Sequence, residues 1–296
     1  MNLAHQLVEI FCEMDDFCKE LEKQIKGTLL EIGSPSQARG PKCCLTDSEI
    51  MTILIAFQLI RVRDFKTFYC HFLQKYWKDY FPSLPSYHRF IELLKRAILP
   101  LTLYVHIKSG RKTGLYYIDS SCLPVCHLKR SKRHKTFEEI AKYGKTSVGW
   151  FFGLKIHLVI NDKGEIMAFK MTTGNQHDSQ CAEILLADLE GIGCGDKGYL
   201  SKPLFEKLLQ NGLKLITRKR KNMKNQDKLS DFEQQALNQR NIIETVFDYL
   251  KHHYQIWHTR HRSIWNAMTH LVAALAAYVI EPLKISAIKL LAKTPN

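Results

Sequence analysis

Near residue 110 the hydrophobic period of this chain changes, and that change restricts its fold more than any other feature. Upstream, apolar residues recur at helical spacing; downstream, short strand-like runs alternate with helical ones. Residues 114–118 read as an apolar strand with Asp119 at its end. Residues 149–160 form a second strand that runs into the turn cluster Asn161-Asp162-Lys163-Gly164, and residues 165–171 complete a hairpin. Asp178 and Ser179 cap a helix to Leu189. A short strand over 192–195 then ends on Asp196, Ser201 opens a helix closed at Gly212, and 213–217 is a further strand. A long helical pattern over 230–254 carries Glu244. Three antiparallel strands followed by two parallel ones, interleaved with helices, predict an α/β region built on a mixed sheet flanked by helices.

The first 110 residues predict a small all-α region instead. Leu3, Leu7, Phe11, Met14, Phe17 and Leu21 share one helical stripe, which ends at the breaker Gly33-Ser34-Pro35. Thr46 with Glu49 three residues on has the form of a capping box opening a helix through Ile60. Helical stretches follow over 65–76 and 87–99, the last closed by Pro100. Short helices with Tyr87, His88 and Arg89 in a first turn suit a helix-turn-helix that reads DNA. A plain helical bundle with a polar surface fits the same pattern. The division is therefore 1–110, helical, and 111–296, α/β.

Within the α/β region three carboxylates stand out. If the strands ending at Asp119 and Asp196 are neighbours, both side chains project at one sheet edge, where open sheets place their sites. Glu244 lies on a later helix that can cross that edge. Three carboxylates without a His or Cys partner make a hard, oxygen-only site suited to Mg²⁺, with Mn²⁺ as a substitute. Two such ions about 3.5–4 Å apart can clamp the attacking and leaving oxygens of a phosphodiester. A lone Asp would more often be a turn or cap residue.

Charge gives the second argument. The chain carries 43 Lys and Arg against 29 Asp and Glu, a formal charge of +14, and the surplus is clustered. Downstream of Asp119 come Lys129, Arg130, Lys132, Arg133 and Lys135. Downstream of Asp196 come Arg218, Lys219, Arg220, Lys221 and Lys224, and downstream of Glu244 come Lys251, Arg260 and Arg262. One such run is usually a solvated face; three beside three candidate ligands suit a phosphate backbone passing the site. Arg240, four residues before Glu244, and Lys251, seven after it, share one helical face with it. A surface ion pair between Arg240 and Glu244, worth roughly 0.3–0.5 kcal/mol, is the plainer alternative.

Other features exclude other classes. Nine Cys is an odd number without the spacing of a disulfide framework, which points to a reducing, cytoplasmic compartment. The opening residues have early acids and no uninterrupted apolar core, unlike a signal peptide. The most apolar stretch, 271–280, is too short to span a bilayer. Cys122 and Cys126-His127 lack the second pair of a zinc site. Gly195-Asp196-Lys197-Gly198 lacks the Walker pattern, so no nucleotide site is expected. Gly174-Asn-Gln-His-Asp-Ser179 is a turn and helix cap, with His177 and Asp178 near enough in sequence to approach the site.

The stretches YYIDSSCLPVC, GWFFGLKIHLVINDKGEI, TTGNQHDS, GDKGYLSK and RNIIETVFDYLK, in this order, resemble the DDE transposases of bacterial insertion sequences, specifically the insertion-sequence 982 family. The resemblance covers nearly the whole chain, most strongly 115–262. It implies a ribonuclease-H-like catalytic domain in which the first and fourth strands lie side by side. It also implies that Asp119, Asp196 and Glu244 form the catalytic, metal-binding triad. Arg240, Glu244 and Lys251 also resemble a Tyr-x2-Arg-x3-Glu-x6-Lys signature, with Leu237 at the Tyr position, so the Tyr role does not carry over. Further implications are a nucleoid-associated bacterial protein, two Mg²⁺ ions, an N-terminal region recognising terminal inverted repeats, and at least a dimer in the working complex. The reaction implied is cleavage of the element's ends and joining of the 3′-hydroxyl to target DNA. A ribonuclease-H-like nuclease that only hydrolyses, and a catalytically idle DNA-binding repressor, are the alternatives.

Overall fold

The computed structural model describes residues 3–32, 44–218, 229–257, 261–282 and 284–285. The chain divides into two compact units, Met1–Ile107 with Arg262–Ile280, and Lys108–His261 with Glu281–Asn296. Among the described residues no helix is long and apolar enough to cross a membrane.

In the first unit, α1 (Leu3–Ile32) buries Leu7, Ile10 and Met14; the breaker at 33–35 lies outside the described residues. Thr46 opens α2 (Asp47–Ile60) with the expected capping box. The Glu49 carboxylate accepts from the Thr46 N–H at 2.7 Å, and the Thr46 hydroxyl accepts from the Glu49 N–H at 3.2 Å. Ile50, Met51, Ile53, Leu54 and Ile55 of α2 are all buried, so this helix is apolar nearly all round and sits centrally. The stretch expected over 65–76 is α3 (Phe65–Thr67), a π-helical segment Phe68–Leu73 and α4 (Gln74–Tyr76). After it, α5 (Tyr87–Leu93) leads through a 3₁₀ turn, Leu94–Ala97, into α6 (Ile98–Ile107). Pro100 therefore does not close a helix. It occupies the first turn of α6, where a missing N–H leaves no intrahelical bond unmade. The sequence reading groups 262–280 with the α/β region. In the structure the helix Ile264–Ile280 instead packs its buried Leu271, Val272 and Leu275 within the helical unit, on α2 and α6.

The second unit is a six-stranded sheet: β1 (Leu115–Cys126), β2 (Lys142–Lys145), β3 (Trp150–Asn161), β4 (Ile166–Thr173), β5 (Gly191–Gly195) and β6 (Leu213–Thr217). The order is β2-β3-β1-β5-β6, with β4 also pairing β3. Because β2 pairs residues 150–153 of β3 and β4 pairs residues 154–160, the two follow one another along the same edge. β1, β3 and β4 run antiparallel, whereas β5 is parallel to β1 and β6 parallel to β5. This is the ribonuclease-H-like mixed sheet. The two strands expected side by side are side by side, although β2, which the sequence did not reveal, raises the second of them to fifth place.

Helices cover both faces. On one, Tyr116 and Ile118 of β1, Val159 of β3 and Leu213 and Leu215 of β6 enclose a core. Its other side comes from α7 (Asp178–Leu186), through Cys181, Ala182 and Leu186, and α8 (Lys202–Gln210), through Leu204 and Leu208. Strand alternation sends Tyr117, Asp119 and Ser121 to the opposite face. There α9 (Asp231–Asn238) contacts β5 and β6, and α10 (Asn241–His253) contacts β1. The N-cap of α7 is His177, whose ring nitrogen accepts from the Ser179 N–H at 3.4 Å, rather than Asp178 or Ser179.

Gly191 lets β5 enter this sheet. Its φ is +112°, and a Cβ there would run into the carbonyl oxygen of Gly114. Gly191→Ala is expected to lower stability by at least about 2 kcal/mol, from left-handed backbone and forced separation of β1 from β5. The midpoint of urea unfolding checks this.

Candidate active site

Register decides the geometry of the site. The parallel ladder between β1 and β5 pairs Tyr117 with Cys194, and the ladder between β5 and β6 pairs Gly195 with Thr217. Two residues beyond the first pair stand Asp119 and Asp196; one beyond the second, Asp196 is level with Arg218. All three thus lie level with the end of β5 and β6, and matched parity puts Asp119 and Asp196 on the same face. Asp119 is not at the end of its strand, as the sequence suggested, but inside β1. The antiparallel ladder with β3 continues past it, pairing Asp119 with Leu158 and reaching Cys126, while β5 stops at Gly195. The end that matters is that of the neighbour.

Glu244 reaches this face from α10. The single long helix expected over 230–254 is two helices, parted at Gln239 and Arg240, which makes Arg240 the N-cap residue of α10 and puts Glu244 in its first turn. Arg240 donates from Nη1 to Asp119 Oδ2 at 3.2 Å and from Nη2 to Glu244 Oε1 at 2.6 Å. Its side chain is only 15 % exposed, so this is more than the surface pair the sequence allowed. Leu237, at the signature's Tyr position, is buried.

Asp119 is the electrostatic centre. Its Oδ1 also accepts from the Ser120 N–H at 2.8 Å. Burial, reinforced by the negative charges of Asp196 and Glu244, pushes its pKa up to about 6 against the opposing pull of Ser120 and Arg240. Asp196 is exposed at the strand end, with no side-chain cap bond to the 3₁₀ turn Lys197–Tyr199 that follows. Tyr199 of that turn is buried. Its phenol is pushed well above its ordinary range, first by burial and then by Asp119, Asp178 and Asp196. Asp178, at the start of α7, faces the turn that carries Tyr199, its Oδ2 lying 3.7 Å from where a Cβ on Gly198 would stand. There it pairs with Lys155 at 3.0 Å and lies 4.0 Å from the buried imidazole of His157, which burial holds down to about 4 and hence neutral. Neither Tyr199 nor the Lys155–Asp178 pair was singled out beforehand; the GDKGYLSK stretch was the only signal pointing to Tyr199.

The donor set can be weighed against a divalent cation. Among the described residues, no three His, Cys, Asp or Glu side chains stand close enough together to hold an ion as arranged. The charges nonetheless fit one. Asp119 resists ionisation partly because Asp196 and Glu244 are near, and a monocation, Arg240, already bonds across two of the three carboxylates. Oxygen-only donors favour a hard ion.

Of the cations expected to meet DNA, Arg130 and Arg133 are exposed on a 3₁₀ turn, Leu128–Arg133, with Lys135 exposed just beyond it. Arg218 is exposed at the tip of β6, and Lys251 lies on α10 two turns past Glu244. Arg262 is exposed but belongs to the helical unit, near Tyr87, and Arg260 lies outside the described residues.

With this geometry in place, comparison with known proteins identifies the class. Residues 109–264 match the family described as "Transposase DDE domain", more than half of the chain, and the chain belongs to that family. Its members generally use divalent metal ions. Among solved structures, a cryo-EM structure of a piggyBac transposase synaptic complex with hairpin DNA is similar at 12 % identity. That likeness has a TM-score of 0.47 and covers 90 % of this chain and 74 % of that one; the family assignment rests on the match over 109–264. No curated protein matches.

Asp119 sets a pH dependence whose sign is fixed. Its folded value, about 6, is above the ordinary 3.8. The stability it contributes is therefore complete below about pH 4 and is lost as pH rises through about 6. In EDTA, Asp119→Asn is expected to flatten the fall in Tm between pH 4 and 7, in thermal melts recorded at half-unit steps.

Proposed function

We propose that this protein is the transposase of a bacterial insertion sequence of the 982 type, which cuts the element's ends and joins the freed 3′-hydroxyl to target DNA. The observation that carries the proposal is the register that sets Asp119 level with Asp196 on neighbouring parallel strands, with Glu244 tied to Asp119 through Arg240. The family match makes phosphodiester chemistry the natural use of that arrangement.

In this reading Asp119, Asp196 and Glu244 would hold two Mg²⁺ ions, with Mn²⁺ as a substitute. When bound, the ions supply charge neutralisation at the phosphate and acidify the attacking water or 3′-hydroxyl. The chain's own residues do the rest. Glu244, 54 % exposed, can turn from Arg240 toward the strand ends. Arg240, released from two carboxylates, then has a guanidinium fork free for a phosphate of the bound strand. Arg218, beside Asp196, and Lys251, along α10, extend the cationic track, while Arg130, Arg133 and Lys135 hold duplex further off. Arg260 and Arg262 complete the set. The helical unit, through the α5 segment with Tyr87, His88 and Arg89, recognises the terminal inverted repeats. Pairing two DNA ends makes the working complex at least a dimer. A bacterial, nucleoid-associated setting follows from that role.

The test is a reaction on supercoiled plasmid carrying the DNA that flanks the gene, with nicks and joined products mapped in Mg²⁺ or Mn²⁺. Cuts at the repeat ends with strand joining support the proposal. Asp119→Asn, Asp196→Asn and Glu244→Gln are each expected to reduce both steps at least about 100-fold while leaving DNA binding in Ca²⁺ intact. Cleavage without joining would leave a nuclease, and binding without either, unaltered by Asp196→Asn, a repressor.

Metal occupancy has a separate readout. Mn²⁺ at about 100 times its Kd is expected to stabilise the protein by about 2.7 kcal/mol in thermal melts, a gain that EDTA reverses and Asp119→Asn abolishes.

A further inference from the structure

The hairpin of β2 and β3 is the part of the second unit that the catalytic reading leaves unused. Its tip, Thr146 to Gly149, is closed by a hydrogen bond between the Thr146 N–H and the Gly149 carbonyl at 2.8 Å, and it presents Val148 at 96 % exposure. Trp150, opposite Lys145 in the ladder, is 60 % exposed, with the Lys145 ammonium 5.8 Å from its ring centre. Two large apolar side chains thus stand in water beside a cation at the tip of one ribbon.

Alternation along β3 places this ribbon relative to the chemistry. Trp150 and Phe152 have the same parity as Leu158, which is the partner of Asp119, so Trp150 and Asp119 share a sheet face. The eight-residue step from Leu158 to Trp150 spans about 26 Å of strand. The ribbon is also joined to the basic turn: the Tyr143 hydroxyl, on the same ribbon face as Lys145 and Trp150, bonds the Ser131 hydroxyl at 2.7 Å. Between His127 and Trp150 the chain carries seven Lys and Arg against two Glu. Cations beside exposed aromatic and aliphatic groups suit a nucleic-acid duplex, the cations meeting phosphates and the apolar groups meeting thymine methyls at the base edges.

We infer that the β2–β3 hairpin is a second duplex-DNA docking surface, a two-stranded ribbon that enters the major groove about eight base pairs from the scissile phosphate. With the duplex axis laid along β3, about 26 Å of strand corresponds to about eight base pairs at about 3.4 Å each, and the major groove is the one wide enough for a two-stranded ribbon. Trp150 and Val148 pack within the groove, while Lys145 and the Arg130 turn sit on its phosphate walls. This rests on the transposase reading above and adds to it a contact that the triad does not require.

The test uses full-length protein on duplex carrying the gene's flanking ends, in Ca²⁺, with affinity from anisotropy and contacts from hydroxyl-radical footprinting. Wild type is expected to protect a patch about six to ten base pairs from the cut position, separate from protection at the cut itself. Trp150→Ala is expected to lose that patch and about tenfold in affinity, Trp150→Phe to keep both, and Lys145→Ala to reduce the salt slope by about 0.9. Trp150 is exposed, so its variants should melt like wild type. Protection of the ends by wild type with an unchanged patch in Trp150→Ala and Val148→Asp overturns the hairpin proposal alone. No protection by wild type on any duplex overturns the transposase reading as well.

Discussion

The parallel pairing of β1 with β5 is the interaction on which the second unit depends. It joins residues nearly eighty positions apart, and three backbone pairs, ending at Tyr117 with Cys194, fix the relative height of everything beyond them. A slip of one residue would invert the faces and send Asp119 or Asp196 into the core packed by α7 and α8. Gly191 allows the close approach to the Gly114 backbone at the start of the ladder, and the departure of β5 after Gly195 opens the space at its end. The site is the place where one strand continues and its neighbour stops.

Charge placed in that space explains much of the surrounding detail. Asp119 is buried enough to resist ionisation, yet it is the residue on which the other two carboxylates act. Arg240 answers that charge by bonding Asp119 and Glu244 together from the start of α10, which packs against β1. The arrangement holds an acidic cluster together in the absence of a divalent ion while leaving Glu244 largely in solvent.

Much of this was legible in the sequence. The capping box at Thr46 and Glu49, the turn at Asn161 to Gly164 and the order of strands and helices after residue 110 are local patterns, and local patterns survive into the fold. What was not legible has specific causes. β2 is four residues, Lys142–Lys145, without apolar alternation, and exists because β3 offers an edge. β1 is longer than the apolar run over 114–118 because pairing with β3 carries the strand on through Ser120, Ser121 and Pro124. Pro100 reads as a stop, but a preceding 3₁₀ turn makes it the first turn of a new helix.

The sequence by itself determined the residue types and their spacing: three carboxylates without nitrogen or sulfur partners, cations downstream of each, and the alternation that makes a mixed sheet. Tertiary structure decided which of these meet. Only the ladder sets Asp119 level with Asp196 and Arg218, only the packing of α10 against β1 brings Arg240 onto Asp119, and the Tyr143–Ser131 bond ties the basic turn to the hairpin. The physical reason is that strand register and helix packing come from hydrogen bonds and buried surface between segments distant in the chain. No local pattern records those distances.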